Sequence, residues 1–195
     1  MKTAAIFFAD GFEEVEAITP LDYLRRAGVK VTTVLIPSPQ TQQPDIAVSS
    51  HKLPIITDTT MEEYLAEADN NLPDCVICPG GSLGAQNLAA SEELRKHLEK
   101  CYAEGKLVAA ICASPAVVLG KTNILKGKKW TCYPDMQGEA NKDYLSGYSD
   151  KPFITDGQLV TSRGAGAAEE FAMELVRILT NEETAKKIHD GTLQR

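Results

Sequence analysis

Short apolar runs alternate along this chain with stretches whose apolar positions recur every three or four residues. These are the signatures of buried strands and amphipathic helices. Residues 2–9 (KTAAIFFA) read as a first strand. Residues 14–28 (EVEAITPLDYLRRAG) read as a helix closed by two arginines and a glycine stop. A β-branched strand follows at 30–36, then a polar loop at 37–45 with three prolines, a short β pair within 46–57 and a helix at 61–69. DCVICPG (74–80) is a strand. Residues 91–105 form a helix capped by Ser91, with Glu92 and Glu93 in its first turn. In KLVAAIC (106–112) every residue after Lys106 is apolar, as in a strand buried on both faces. An irregular stretch at 121–158 precedes strand QLVTS (158–162), a helix at 167–180 and a closing segment, 181–189, with Asn181 in capping position. The alternation predicts an α/β fold with a mostly parallel sheet covered by helices on both faces, in one domain spanning 1–195.

In such sheets ligands bind beyond the carboxyl ends of the strands. That rule selects 10–16, 79–82, 112–114 and 163–166. Cys112 lies where strand 108–111 must turn sharply into a helix opened by Ser114-Pro115. Small neighbours (Ala110, Ala113, Ser114) make this resemble a nucleophile elbow, although G-x-S-x-G is absent. The unpaired N–H groups of a helix start would favour thiolate and could hold an oxyanion. The alternative role for Cys112 is that of a small apolar residue filling a strand end. The other thiols read as structural: Cys101 continues a Leu94–Leu98 stripe, Cys75 and Cys78 lie inside a strand, and Cys132 sits near a strand end.

A nucleophilic cysteine needs a partner. His97 is expected on the exposed side of its helix and His189 near the chain end, both solvated; His51 falls on a short β segment. Glu13 and Glu14 suit the first turn of helix 14–28. Glu16 is flanked by Val15, Ala17 and Ile18, and Pro20 cannot donate to its carbonyl, so the helix is expected to be distorted there. A glutamate in a part-buried turn tends towards the protonated form and could donate a hydrogen bond to a thiolate.

Composition narrows the classes. A net charge of −7 and an isoelectric point near 5.0 argue against nucleic acid or anionic membranes as partners. The apolar run before Asp10 is too short for a leader or a membrane span, so a cytoplasmic protein is expected. Five cysteines without an export signal read as reduced thiols. Cys75 and Cys78 are spaced to opposite faces of a strand, and no second pair at zinc spacing follows, so no metal is expected. No cofactor is expected either: GAGAAE (164–169) lacks dinucleotide-turn spacing and PGGS (79–82) lacks a P-loop ending.

Four segments in register, ADGFEEVEAITPLDYLRRAG, CPGGSLGAQNL, VAAICASPAVVL and TSRGAGAAEEFA, resemble the ThiJ/PfpI superfamily, nearest the branch of the parkinsonism-associated DJ-one protein and its bacterial relatives. The resemblance implies a flavodoxin-like three-layer sandwich of the class I glutamine amidotransferase-like type and a homodimer. It also implies a reactive Cys112 hydrogen-bonded to a protonated Glu16, with an oxyanion and substrate pocket at Gly80, Gly81 and Ala113. Arg163, His51 and Tyr133 would fall on the pocket rim. Three positions depart from the family pattern. Tyr133 replaces a common histidine, which weakens an amidotransferase or peptidase triad. His51 stands where the nearest branch has arginine, and Ala165 where proline is frequent. The implied activity is cysteine-dependent chemistry on α-oxoaldehydes such as methylglyoxal, or on their protein and nucleotide adducts (glyoxalase III or deglycase). The competing role is redox-sensing, chaperone-like stress protection.

Overall fold

A computed structural model of the chain describes residues 1–68 and 71–194. Its centre is a seven-stranded sheet built from β1 (Thr3–Phe8), β2 (Lys30–Leu35), β5 (Thr59–Thr60), β6 (Cys75–Cys78), β7 (Leu107–Ile111), β8 (Phe153–Asp156) and β9 (Leu159–Ser162). The order is β5-β2-β1-β6-β7-β9-β8, with every pair parallel except β8 on β9. A separate antiparallel hairpin joins β3 (Ile46–Val48) to β4 (Pro54–Ile56).

Period-two alternation in β1 divides the core. Ala5 and Phe7 point into one apolar cluster, Ile6 and Phe8 into the other. The first cluster lies under α2 (Met61–Ala68), α3 (Ser82–Ala90), α4 (Glu92–Ala103) and α5 (Ser114–Val117), and takes in buried Trp130. The second lies under α1 (Glu14–Arg26), α6 (Ala168–Leu179) and α7 (Glu182–Gly191). This is the parallel sheet covered on both faces that the alternation of elements predicts, in the flavodoxin-like three-layer form that the resemblance implies. Cys75 joins the second cluster and Cys78 the first, so the C-x-x-C thiols do face opposite sides of the sheet.

Helix α3 has no counterpart in the sequence reading, because SLGAQNLAA carries a mid-helix glycine and no clear apolar face. Strand β8 lies inside the stretch read as irregular; it is an edge strand, only partly buried. Pro20 lies within an unbroken α1, so the distortion expected at Glu16 does not interrupt the helix. The helix expected after Cys112 is a single turn, followed by a 3₁₀ turn at Leu119–Lys121. The end of the helix read at 61–69 lies outside the described residues. No described helix is long and apolar enough to cross a membrane.

Candidate active site

The carboxyl ends of β1, β6, β7 and β9 converge on Cys112. Its φ of +65° is unusual for a residue with a side chain and costs about 1–3 kcal/mol. Two long-range hydrogen bonds hold the conformation: the Cys112 N–H donates to Ser162 O (2.9 Å), and its carbonyl accepts from the Tyr133 N–H (2.8 Å). The Ser114 hydroxyl donates to the Pro79 carbonyl and ties the elbow to the end of β6. A side chain on this turn is thrust out of the sheet, and Cys112 is partly exposed while the other four cysteines are buried.

Glu16 arrives from the first turn of α1 and is 1% exposed. Its Oε2 accepts from the Gly80 N–H at 3.0 Å, while the Gly80 carbonyl accepts from the Glu13 N–H at 3.1 Å. The Glu13 side chain caps the helix by accepting from the Glu16 N–H at 2.8 Å. Gly80 can lie there only without a side chain, since a Cβ would run into Glu16 Oε2 and Cys112 Cβ. Gly81, at φ +88°, presses against the Gly11 carbonyl.

Burial raises the Glu16 carboxyl to about 7; its hydrogen bond with Cys112 and the amides of Gly80 and Ala165 pull the other way, and the charge of Glu13 adds to the rise. The cause is desolvation, not a broken helix. The Cys112 thiol is pushed up to about 12 by burial and by its contact with ionised Glu16, against the amides of Gly81 and Ala113, which favour the thiolate. This corrects the expectation of a thiol lowered by a helix dipole. A one-turn helix has little dipole to offer, and two individual amides take its place. The two groups titrate as a pair. Once Glu16 holds the proton, its charge no longer opposes the thiolate and its O–H becomes a donor.

Gly80, Gly81 and Ala113 lie around the pair. Tyr133 is 51% exposed, and its Cδ2 lies 3.6 Å from where a Cβ on Gly164 would sit. Arg163 extends away to Asp150 (3.3 Å). His51 sits in the β3–β4 turn, not on a strand, and its partners are Glu14 (3.0 Å) and Ser50. Glu13, Glu14 and His51 bring three potential metal-ligand atoms within 4.8 Å of one another, but Glu13 is engaged as a cap and Glu14 with His51. The Ala165 amide is a further donor to Glu16, from the loop after β9 that the sequence singles out.

His97 is the clearest departure. It is 4% exposed rather than solvated, with Nε2 at 3.2 Å from the Tyr64 hydroxyl and 3.5 Å from Cys101 Sγ. Its position three after Leu94 and four before Cys101 puts it on the buried stripe. Burial, helped by the charge of Lys100, lowers its pKa from 6.5 to about 4. Between those values the unfolded chain binds a proton that the folded one refuses. This contribution is complete above pH 6.5 and is lost as pH falls through about 4, on the order of 3 kcal/mol in all. Urea unfolding between pH 7 and 4.5 should show a weaker acid-side loss of stability in His97→Gln than in the parent; equal slopes would exclude His97 as the cause.

The DJ-1/PfpI family profile matches residues 2–178. The chain belongs to the DJ-1/PfpI family. Drosophila melanogaster Protein dj-1beta is 35% identical over 98% of this chain and 97% of its own. The structure of oxidized Toxoplasma gondii DJ-1 superposes with a TM-score of 0.87 at 32% identity, covering 99% of this chain and 98% of that one. A more distant member of the family, from Schizosaccharomyces pombe, is named a glutathione-independent glyoxalase and is 24% identical over 97% of each chain.

Proposed function

We propose that this protein is a cofactor-independent thiol enzyme that converts α-oxoaldehydes such as methylglyoxal to 2-hydroxy acids. One observation carries the reading: a carboxyl whose pKa is raised by burial to about 7 is hydrogen-bonded to a partly exposed thiol that faces two backbone amides. A proton carrier near neutrality, a nucleophile and an oxyanion site are thereby joined. The name of the Schizosaccharomyces pombe relative supports the same chemistry.

The Cys112 thiolate adds to the aldehyde carbon, and the Gly81 and Ala113 N–H groups stabilise the alkoxide until it takes the Glu16 proton. Glu16, now a carboxylate, removes the hydrogen on that carbon and returns it to the neighbouring one. The hydroxyl proton passes between the two oxygens, leaving a 2-hydroxyacyl thioester. Water then splits the thioester into the hydroxy acid and free thiol. Deglycation would use the same first contacts on a protein or nucleotide adduct. Purified protein given methylglyoxal without glutathione should form lactate, and Cys112→Ser should form none; absence of lactate from the parent protein would overturn the reading.

Redox sensing is the second reading, favoured by the donors around the sulfur: the amides of Gly81 and Ala113 and protonated Glu16 would also hold sulfinate oxygens. A protein without turnover whose Cys112 takes up two oxygens in peroxide would fit this role instead. For an amidotransferase or peptidase the geometry offers less, since the partners of His51, His97 and His189 are Glu14, Tyr64 with Cys101, and Asp190.

A homodimer and a cytoplasmic setting complete the proposal. Val15 (46% exposed), Leu53 (45%) and Ile56 (72%) are apolar side chains left in water. They lie on α1 and the β3–β4 hairpin, which the His51–Glu14 pair joins. Sedimentation at micromolar concentration should give twice the 21.1 kDa chain mass; the mass of one chain would exclude the dimer.

A further inference from the structure

We propose that Tyr133 is the specificity-determining wall of the Cys112 pocket and selects electrophiles that carry a flat aromatic group. Three observations converge on it. Its ring is half in solvent, although the neighbouring Cys132 and Thr131 are buried, so the side chain is turned out of the core. Its N–H donates to the carbonyl of Cys112 at 2.8 Å, which locks the ring's base to the nucleophile's own residue. And the ring borders the same gap as the acid. From the point where a Cβ on Gly164 would sit, Tyr133 Cδ2 is 3.6 Å away, Tyr133 Cε2 4.0 Å and Glu16 Oε1 3.9 Å. Because residue 164 has no side chain, no Cβ occupies the point that phenol and carboxyl flank.

A group attached to the carbon attacked by Cys112 and within reach of Glu16 has this opening as a way out, along the tyrosine ring. Imidazole at this position would offer a titratable base; phenol offers a broad apolar face instead. Aromatic pairs in offset or edge contact gain on the order of fivefold in binding beyond simple burial. Among the described residues the Tyr133 hydroxyl has no hydrogen-bond partner, so its loss in phenylalanine costs no structural contact, whereas loss of the ring removes the wall.

This inference rests on the α-oxoaldehyde reading only for its natural substrate class, and it can be tested without turnover. The rates at which iodoacetamide and N-phenyl-iodoacetamide alkylate Cys112 are compared in the parent protein, Tyr133→Phe and Tyr133→Ala. The aryl-to-alkyl rate ratio should hold within about twofold in Tyr133→Phe and fall about fivefold in Tyr133→Ala. The ratio of kcat/KM for phenylglyoxal over methylglyoxal should fall in step. An unchanged alkylation ratio in Tyr133→Ala overturns the proposal, whatever the turnover. A ratio that falls in a protein without turnover upholds Tyr133 as the wall and overturns the glyoxalase reading instead.

Discussion

Replacing Glu16 by glutamine is expected to leave Cys112 reactive towards iodoacetamide within about tenfold, while methylglyoxal turnover falls about a hundredfold or more. The asymmetry follows from what the side chain does. Glutamine can keep its oxygen on the Gly80 N–H, 3.0 Å away in the parent, and turn its amide donor towards the sulfur. The thiolate keeps a neutral donor as well as the amides of Gly81 and Ala113. What disappears is a group able to accept and return a proton. Glu16→Leu should lose the donor too, so its alkylation should slow at neutral pH as the thiol pKa rises. Turnover of Glu16→Gln equal to the parent would remove Glu16 from the chemistry.

The same variant carries a stability signature of known sign. The folded carboxyl is raised from 4.5 to about 7. The folded chain therefore holds a proton that the unfolded one releases between those values, and this advantage is lost as pH rises through about 7. Glu16→Gln cannot ionise. Its stability relative to the parent should rise between pH 5 and pH 8 in urea unfolding.

Gly80→Ala is expected to cost turnover at least a hundredfold, and unlike Glu16→Gln it should slow alkylation as well. The added methyl would meet Glu16 Oε2, lie 2.5 Å from Cys112 Cβ and 3.0 Å from the Ile111 carbonyl. Glu16 Oε2 is a side-chain end but is held by the Gly80 N–H, and Cys112 Cβ and the Ile111 carbonyl cannot swing aside, so the pair must separate or the β6 terminus must shift, taking the Gly81 amide with it. Displacements near 1 Å at a reacting centre cost about a hundredfold, and overpacking a tight interior costs about 1–3 kcal/mol of stability. Gly166→Ala is the control, since a Cβ there meets nothing within 4 Å. Alkylation and kcat/KM for both variants, with urea midpoints, decide the matter: a Gly80→Ala protein as active as the control would show that the close approach is not needed.

Much of this could be read from the chain. Apolar runs such as VAAI and CVIC mark central strands because burial on both faces forbids polar residues there, and Cys112 stands where such a run meets Ser114-Pro115. Weak patterns leave other elements illegible in the sequence. Helix α3 packs through small residues, and edge strand β8 is only partly buried. His97 is buried against expectation because a polar residue on an apolar stripe is stable there only with a partner, which local sequence does not show. Tyr64, 33 residues away, supplies that partner.

Periodicity is local, and it determined the layers, the strand end that carries Cys112 and the helix start that carries Glu16. The chemistry of the pair was decided by the tertiary structure alone. The Gly80 amide reaches Glu16 across 64 residues of chain, and the Cys112 turn is held by Ser162 and Tyr133. A carboxyl's proton affinity depends on how much water its neighbours exclude and which dipoles they aim at it, and those neighbours come from strands that meet only when the sheet is assembled.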